Sequence, residues 1–333
     1  MKQESQLVEK ILRRLGSKSS SSFSPWRLSL GPGDDAAVLS PSSRSELVLS
    51  CDASLEGVHF RRATHPPSSI GYKSLARAAS DLAAMGAAPR YYLLTVGVPN
   101  TLKAAWLDEF LGGMRRAARE LGMTIIGGDT TTSSQVIVSI TVLGEIGHGL
   151  ALRRSGARPG DLIYVSGTLG EAQLGLEFAL AGGGRDPRLR AELQPHLYPT
   201  IRIALGSWLA RRRIPSAMMD ISDGLSTDLT RLCQASGVGA RVYADRIRRV
   251  RIPTSLPPKL RRRKLDPLQM ALHGGEDYEL LFTVPKKKSG GLKKCPEFSS
   301  LTLVGEITAA KTILLISNAG RVEKLKPRGW DPF

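Results

Sequence analysis

The sequence has few of the residues that cross-link or anchor a protein. Its 333 residues include only three cysteines, Cys51, Cys233 and Cys295, which lie far apart and form no CxxC pair. This usage excludes a disulfide scaffold and a zinc finger, and is typical of a reducing cytoplasm. No apolar run approaches the ~20 residues that a spanning helix needs, and residues 1–16 lack the apolar stretch of a secretory signal. We therefore expect a cytoplasmic protein with no membrane span.

Several motifs of nucleotide binding and hydrolysis are also missing. The chain has no GxxxxGK[ST], no HExxH and no GxSxG. Residues 31–36, GPGDDA, satisfy a loose GxGxxA, but the strand-like AAVL follows where a dinucleotide fingerprint requires a helix. These absences exclude a P-loop protein, a zinc metalloprotease, a nucleophile-elbow hydrolase and a dinucleotide-binding domain.

Acidic residues are fewer than basic ones, with 30 Asp and Glu against 47 Lys and Arg, and the net charge is +17. Residues 1–150 contain 16 bases and 13 acids, whereas 151–333 contain 31 and 17. The most basic stretch, 241–264, has ten bases and one acid. Such a stretch suggests a nucleic-acid-binding protein, but it has almost no interleaved aromatic residues for base stacking. A solvated basic surface is the other interpretation of it.

The hydrophobic fraction of 41% predicts packed cores, and a chain of this length usually forms two domains. We place the domains at 1–148 and 149–333. Strands and helices mix in both halves, which predicts α+β and α/β architecture. Helical patterns cover 1–16, 70–85, 104–121, 166–183, 202–212, 224–236 and 265–272. Strand-like runs cover 36–39, 46–50, 91–98, 136–143, 278–284, 302–307 and 313–317, and residues 153–167, RRSGARPGDLIYVSG, read as a turn followed by a short apolar strand.

A minority of the acids lie at the ends of strand-like runs, among Gly, Ser and Ala. They are Asp34, Asp35, Asp52, Asp81, Asp129, Asp220, Asp223, Glu276 and Asp277. A carboxylate beside an apolar run is desolvated, which is unfavourable unless a cation pairs with it. Mg²⁺ typically combines a few carboxylates with substrate phosphates, and neighbouring glycines let the backbone approach a polyphosphate. Each GDD or SDG alone is an ordinary turn sequence, but together they indicate metal-assisted phosphate chemistry.

These segments, in their order, resemble the thiamine-monophosphate kinases, a family in the superfamily of aminoimidazole ribonucleotide synthetase and selenophosphate synthetase. The resemblance runs nearly end to end. It rests on GPGDDAAVL, SCDASLEGVHF, YKSLARAASDLAAMGAAPRYYLLTVGVP, IIGGDTT, RSGARPGDLIYVSGTLGEA, DISDGLSTDL, GGEDYELLFTVP and the terminal GWDPF. It implies ATP-dependent phosphorylation of thiamine monophosphate to thiamine diphosphate by direct transfer, with several Mg²⁺ ions and no phosphoenzyme.

The resemblance also implies site residues. Positions that match metal ligands are Asp35, Ser50, Cys51, Asp52, Asp81, Asp129, Asp220 and Asp223. The family usually has Thr where this chain has Cys51, and since a thiol is a poor Mg²⁺ ligand, ligation by the backbone carbonyl is the alternative. Positions that match ATP contacts are Gly128, Asp129, Arg154 and Ser222, and those that match substrate contacts are His59, Glu276 and Trp330. No residue is expected to act as a covalent or acid–base catalyst.

Three of these residues have plain structural alternatives. Arg154 fits a cationic clamp on ATP phosphate or an ordinary surface arginine, and His59 fits a substrate contact or a loop residue. Trp330 fits a ring stacked on the substrate or a docked tail. The superfamily architecture implies an N-terminal α+β domain that dimerises through its sheet, followed by an α/β domain. An aminoimidazole ribonucleotide synthetase-like enzyme is the alternative within the superfamily, and a basic nucleic-acid-binding protein is the alternative outside it.

Overall fold

The computed structural model describes residues 4–15, 27–30, 38–40, 43–184, 186–254 and 256–330. The chain folds as two units. The first comprises Met1–Leu82 and Ala87–Gly149, and the second comprises Ala83–Gly86 and Leu150–Phe333. In the part of the chain that is described, no helix is long and apolar enough to cross a membrane.

The first unit is built around a four-stranded sheet of order β3-β6-β4-β5, in which only the β4–β5 pair is parallel. A short antiparallel pair, β1 with β2, precedes it. The elements are α1 (Glu4–Leu15), β1 (Arg27–Leu30), β2 (Val38–Ser40), β3 (Ser45–Leu55), α2 (Pro67–Met85), β4 (Ala88–Val98), α3 (Ala104–Leu121), β5 (Thr124–Thr132) and β6 (Ile137–Gly147).

The two faces of this sheet have different surroundings. Side chains alternate between faces along a strand, and on β3 Ser50 and Asp52 point toward α2, whose Asp81 and Arg77 they contact. The opposite face includes Leu49, which is 57% exposed, and Ile137, which is 36% exposed. One face of the sheet is therefore covered by helix within the chain, and the other presents apolar side chains.

Helices α2 and α3 approach each other closely at a glycine. A Cβ added to Gly113 would lie 1.8 Å from the carbonyl oxygen of Ser68, whereas one added to the neighbouring Gly112 would meet nothing within 4 Å. The Gly113→Ala variant should therefore lose about 1–3 kcal/mol of unfolding free energy because the helices must separate. The matched Gly112→Ala variant should gain about 0.5–1 kcal/mol from helix propensity. Urea denaturation of both variants checks this pair, and equal effects would contradict the close approach.

The second unit has a seven-stranded sheet of order β13-β12-β9-β11-β7-β10-β8, antiparallel except for β12 with β9. Its strands are β7 (Leu162–Ser166), β8 (Ala217–Ile221), β9 (Gly239–Tyr243), β10 (Glu279–Val284), β11 (Leu301–Thr308), β12 (Ile313–Ile316) and β13 (Val322–Lys324). Its α-helices are α4 (Glu171–Phe178), α5 (Arg190–Leu197), α6 (Ile203–Arg211), α7 (Leu225–Ser236), α8 (Pro258–Arg261) and α9 (Pro267–His273).

Two apolar clusters stabilise the second unit. One joins the sheet to α7 through buried residues such as Ile163, Leu229 and Leu281. The other joins α4, α5 and the segment before α8 through residues such as Phe178, Leu197 and Val250. The mixed α/β content of the two units confirms the predicted fold class.

Most of the predicted elements are present, with changed ends. The helix predicted over 104–121 is α3, and the one predicted over 70–85 begins earlier, at Pro67, in the first turn where proline is well tolerated. Strands β5 and β8 were not among the predicted runs. The β5 sequence TIIGGDTTT has two glycines and no alternation, and it forms a strand by parallel pairing with β4.

Candidate functional site

In the first unit, the acids of the SCD and SDL segments meet between β3 and α2. The Ser50 hydroxyl donates a hydrogen bond to Oδ2 of Asp81. The Arg77 guanidinium, one turn before Asp81 on α2, holds the Asp52 carboxylate with two bonds, Nε to Oδ2 at 2.9 Å and Nη2 to Oδ1 at 3.0 Å. The structure thus brings together three of the predicted metal ligands and adds an arginine that sequence reasoning did not identify.

Cys51 and Asp129 lie on the opposite face of the same sheet. The Cys51 side chain is exposed, with Sγ 3.6 Å from the hydroxyl of Ser139. Asp129 is aligned through Thr95 and Ser139 with Ala53, the residue after Asp52. Since neighbours along a strand face opposite ways, the register separates both side chains from Asp52. The Cys51 thiol is therefore badly placed to join Asp52 on one ion, which favours the backbone-carbonyl alternative.

The remaining predicted residues of the first unit lie in turns or outside the described residues. Nδ1 of His59 accepts a hydrogen bond from the backbone N–H of Leu55 at 3.0 Å in the turn after β3. Gly128 precedes Asp129 on β5, and Asp129 is exposed, with Oδ1 accepting the backbone N–H of Thr130 at 2.8 Å. Asp35 lies outside the described residues, and its assignment stays a prediction.

In the second unit, the DISDG segment leaves β8 and enters α7. Asp220 is buried in β8 and Asp223 lies in the turn. Asp228, on the first turn of α7, is fully buried and accepts the backbone N–H of Asp223 at 3.0 Å. Arg231 pairs with both Asp223 and Asp228. Burial raises the pKa of Asp228 to about 6, despite the opposing bonds from the Asp223 N–H and Arg231.

The GGED segment is tied to this turn through its backbone. The N–H of Glu276 donates to the carbonyl of Ser222 at 2.7 Å, and the N–H of Tyr278 donates to that of Ile221 at 2.9 Å. Both Glu276 (φ 67°) and Tyr278 (φ 50°) adopt left-handed backbone conformations, which are uncommon for bulky residues and concentrate at functional sites. The Glu276 carboxylate lies 3.3 Å from Nδ1 of buried His196 on α5. Glu276 and Ser222 are therefore neighbours, and they lie in two loops, the GGED segment and the DISDG turn, that are hydrogen-bonded to each other.

The C-terminal segment also docks at this turn. The Trp330 N–H donates to the carbonyl of Asp223 at 3.1 Å, and the Gly329 N–H donates to the Thr227 hydroxyl at 3.1 Å. A Cβ at position 329 would lie 1.8 Å from the Asp223 carbonyl oxygen, so only glycine fits. The indole of Trp330 is 44% exposed. The tail thus docks through its backbone and leaves Trp330 exposed, and the role of this residue toward the substrate stays a prediction.

Arg154 has an exposed side chain in the second unit. Its carbonyl accepts a hydrogen bond from Ser236, the last residue of α7, at 3.2 Å. The structure fixes the backbone of Arg154 and leaves its role toward ATP a prediction.

Asp277, next to Glu276, accepts hydrogen bonds from the start of α4. Its two carboxylate oxygens accept the backbone N–H groups of Gly170 at 2.7 Å and Ala172 at 3.1 Å, at the start of that helix. Burial outweighs these two donors and raises the pKa of Asp277 from 3.8 to about 8. This member of the acidic set is therefore a helix cap, whose bonds need no metal to explain them.

The pKa of Asp277 gives a pH-dependent stability. Because the folded-state pKa exceeds the ordinary 3.8, the folded protein binds this proton more tightly than the unfolded chain. The stability that this proton contributes to the folded state is complete below pH 3.8 and is lost as the pH rises to about 8. Relative to the Asp277→Asn variant, the wild type should lose about 1 kcal/mol of unfolding free energy for each pH unit between pH 5 and 7. Urea unfolding of both proteins across this range checks it, and parallel curves would contradict it.

A further buried ion pair lies at the start of β10. Glu279 accepts two bonds from Arg202, Nε to Oε2 at 2.7 Å and Nη2 to Oε1 at 2.5 Å, and one from the hydroxyl of Ser166. The Ser166 hydroxyl in turn accepts the backbone N–H of Leu280 at 2.8 Å. The charge pairing raises the pKa of Arg202. This network joins β7, β10 and the start of α6.

The oxygen donors of both units suit a hard divalent cation. Among the described residues no group of three His, Cys, Asp or Glu side chains is close enough to hold a metal by itself. Mg²⁺, however, is usually held by one or two carboxylates together with substrate phosphates and water. The Ser50–Asp81 pair with the adjacent Asp52, and the DISDG turn, fit that kind of site and do not fit an all-protein cage.

Two family descriptions match the chain. "AIR synthase related protein, N-terminal domain" matches residues 33–146, and "AIR synthase related protein, C-terminal domain" matches residues 158–316. A curated thiamine-monophosphate kinase of Aquifex aeolicus is 33% identical over 304 residues, which cover 90% of this chain and 92% of that protein. The kinase of the same name from Salmonella typhimurium is 40% identical over 264 residues, 79% of this chain and 78% of that protein.

Solved structures are similar over nearly the whole chain. A thiamine-monophosphate kinase from Stenotrophomonas maltophilia has a TM-score of 0.76 at 34% identity, covering 93% of this chain and 95% of its own. A structure described as AaThiL complexed with AMPPCP and TMP has a TM-score of 0.76 at 31% identity, covering 99% and 97%. These likenesses confirm the predicted two-domain architecture of the aminoimidazole ribonucleotide synthetase superfamily.

Proposed function

The chain belongs to the thiamine-monophosphate kinases of the AIR synthase related protein family, and we propose that it transfers the γ-phosphoryl group of ATP to thiamine monophosphate, giving thiamine diphosphate. The observation that carries this proposal is the 33% identity over 90% of the chain to a kinase of that name. A related structure described as complexed with AMPPCP and TMP supports the same pair of ligands.

Mg²⁺ is part of the proposal, because both reactants are anionic. When bound, the ion would neutralise phosphate charge and align the two phosphates for in-line displacement. The residues that would hold it are Asp52 with Ser50 and Asp81 in the first unit, and Asp220 with Asp223 in the second. Asp129, on the other face of the sheet, is proposed to hold a different one of the several predicted ions, and the backbone of Cys51 and the undescribed Asp35 are the other members of the predicted set.

Neighbouring arginines fix the orientation of two of these carboxylates. Arg77 fixes the orientation of Asp52 through two parallel bonds, and Arg231 fixes Asp223. Each pair orients its carboxylate and leaves lone pairs that can accept a cation. Arg154, with Gly128 and Ser222, is proposed to contact ATP.

The thiamine end of the substrate is assigned to Glu276, Trp330 and His59. The carboxylate of Glu276 is held beside buried His196, and Trp330 is exposed, with its backbone N–H bonded to the carbonyl of Asp223. An indole face attracts a cationic thiazolium ring by about 0.5–2 kcal/mol, and a carboxylate accepts the N–H groups of an aminopyrimidine. No side chain is assigned to covalent or acid–base catalysis, since phosphoryl transfer depends mainly on positioning and charge.

The two domains are proposed to have different roles. Residues 1–148 would supply ATP, Mg²⁺ and dimer contacts, and residues 149–333 the α/β domain. The sheet face that carries Leu49 and Ile137 supports dimerisation, because large exposed apolar side chains on a sheet commonly mark an interface.

The dimer can be tested at that face. Leu49→Arg puts a charge into the proposed interface and should convert a dimer to a monomer in analytical ultracentrifugation. Val58→Arg, at a residue that is 59% exposed in the turn after β3, serves as the matched control and should leave the mass unchanged. A wild-type monomer at the same concentration would contradict the dimer.

The function itself is tested by a substrate panel. Purified protein should form thiamine diphosphate from ATP and thiamine monophosphate, and lose this activity in EDTA. Thiamine alone should not be phosphorylated. Turnover of an aminoimidazole ribonucleotide precursor, with none of thiamine monophosphate, would favour the alternative member of the superfamily.

A further inference from the structure

A pocket in the second unit is lined in part by α5, the helix whose His196 contacts the Glu276 carboxylate. Its volume is about 470 Å³, and it is lined by the start of α4, by α5 and by the segment 248–253. That volume is within the range of pockets that bind small ligands. None of the residues assigned above to ATP, metal or thiamine lines it.

One side of the pocket is cationic and belongs to the basic stretch 241–264. Arg248, Arg249 and Arg251 line it, all with exposed side chains. Within the described residues none of the three forms an ion pair; Arg248 and Arg249 each bond to a backbone carbonyl, of Ser299 and Ala244. A guanidinium carries five N–H donors, so these contacts leave donors for an anion.

The backbone that carries these arginines is fixed. The N–H of Leu169 donates to the Arg248 carbonyl at 2.9 Å, and the N–H of Val250 donates to the Leu169 carbonyl at 2.9 Å. Leu169 is followed closely by α4, whose start is capped by Asp277. The arginines therefore project from a segment attached to the core of the unit, which reduces the entropy lost on binding.

The helices α4 and α5 contribute acidic side chains to the same pocket. Glu192 on α5 lines it, and its Oε2 atom is buried without a hydrogen-bond partner in the described part of the chain. Glu171, at the start of α4, lines it too, and burial raises its pKa. A buried carboxylate oxygen with no donor is unfavourable by itself, and a ligand that supplies N–H groups would relieve that cost.

Apolar side chains line the pocket as well. Leu174 and Val250 line the pocket and are only 4% and 6% exposed, because they belong to the cluster that joins α4 to α5. A flat ring could rest on this surface while its substituents reach the acids and the arginines.

We propose that this pocket binds a small phosphate ester that carries an amino-substituted heterocycle. The phosphate would pair with Arg248, Arg249 and Arg251, the exocyclic amino group would donate to Glu192, and the ring would lie on Leu174 and Val250. Adenine nucleotides and thiamine phosphates share this chemistry, so the pocket is a second binding site for one of the two. That choice of probes rests on the proposed function, whereas the pocket itself does not.

The acids separate this proposal from nucleic-acid binding. A polyanion that followed the arginines of 248–251 would meet Glu171 and Glu192 within the same pocket. A small ligand with one anionic end and one N–H-donating end matches both charges.

The test is equilibrium dialysis of the full chain with ADP and, separately, with thiamine diphosphate. Arg249→Ser/Arg251→Ser and Glu192→Gln should each weaken binding of one probe at one site by about tenfold or more, since each removes a charge-assisted bond. The matched control Lys259→Ser/Arg262→Ser removes two exposed charges of the same basic stretch outside the pocket and should change nothing.

Two further readouts make the outcomes distinct. Without ligand, Glu192→Gln should melt at or above the wild-type temperature, because the carboxylate has no partner to lose. The proposal is overturned if neither probe binds more weakly to the pocket variants than to the control variant. It is also overturned if labelled DNA binds the wild type and the Arg249→Ser/Arg251→Ser and Lys259→Ser/Arg262→Ser variants both lose DNA binding to the same extent. Kinase activity measured on the same samples tests the proposed function separately, since the binding comparison needs no turnover.

Discussion

Replacing Asp129 with Asn is expected to lower kcat by about 10²–10³-fold, because it removes a proposed carboxylate ligand of the Mg²⁺ that would offset the repulsion between two phosphate groups. The side chain is exposed, and Oδ1 accepts only the neighbouring Thr130 N–H among the described contacts. An amide oxygen can accept the same bond, so the fold should not change. The measurement is steady-state kinetics with ATP and thiamine monophosphate at several Mg²⁺ concentrations.

The control for this variant is Asp245→Asn, an exposed aspartate in a short 3-10 helix of the second unit. It makes the same chemical change on the surface and should leave kcat unaltered. If Asp129 binds the cation, the variant should also need more Mg²⁺ for half-maximal rate. Wild-type kcat and Mg²⁺ dependence in Asp129→Asn would remove this residue from the proposed site.

The elements that local sequence determines were the easiest to predict. Helix α3 has an unbroken amphipathic pattern and a glycine immediately after it, and its predicted bounds match the structure. Strand β8, AMMDI, carries no local pattern beyond five buried residues. It is a strand because β10 pairs with it, and a partner about 60 residues away is invisible to a periodicity argument.

The candidate site was predicted as a set of acids without their partners. Asp52 and Asp223 were identified from the glycines and short polar residues around them, but Arg77 and Arg231 looked like ordinary helical arginines. Their pairing depends on which helix packs against which strand, and no spacing rule gives that. A signal existed for Arg231, since Asp228 precedes it by three residues on one helix face.

The acid pattern also included a residue with a different role. Asp277 belongs to the same Gly-rich segment as Glu276, yet it caps α4 while Glu276 faces His196. Adjacent residues in an irregular loop point in unrelated directions, so a shared motif does not imply a shared function. The left-handed backbone at Glu276 and Tyr278 produces this separation.

Replacing Arg202 with Met is expected to cost about 3–5 kcal/mol of unfolding free energy, because it leaves the carboxylate of Glu279 buried without its cation. Glu279 is 6% exposed and, at the start of β10, accepts a hydrogen bond from Ser166 at the end of β7. The matched control is Arg188→Met: Arg188 also makes a two-pronged bond, to Asp186, but its side chain is 86% exposed. Surface pairs are screened by water, so the control should unfold at the wild-type denaturant concentration.

The double variant Arg202→Met/Glu279→Leu separates the value of the ion pair from the penalty of breaking it. If most of the loss in Arg202→Met comes from the unpaired carboxylate, removing that carboxylate should restore part of the stability, as replacement of a buried ion pair by apolar residues often does. Urea denaturation at pH 7 measures all three variants. A double variant less stable than Arg202→Met would show instead that Glu279 stabilises the sheet mainly through Ser166, whose hydroxyl also accepts the backbone N–H of Leu280.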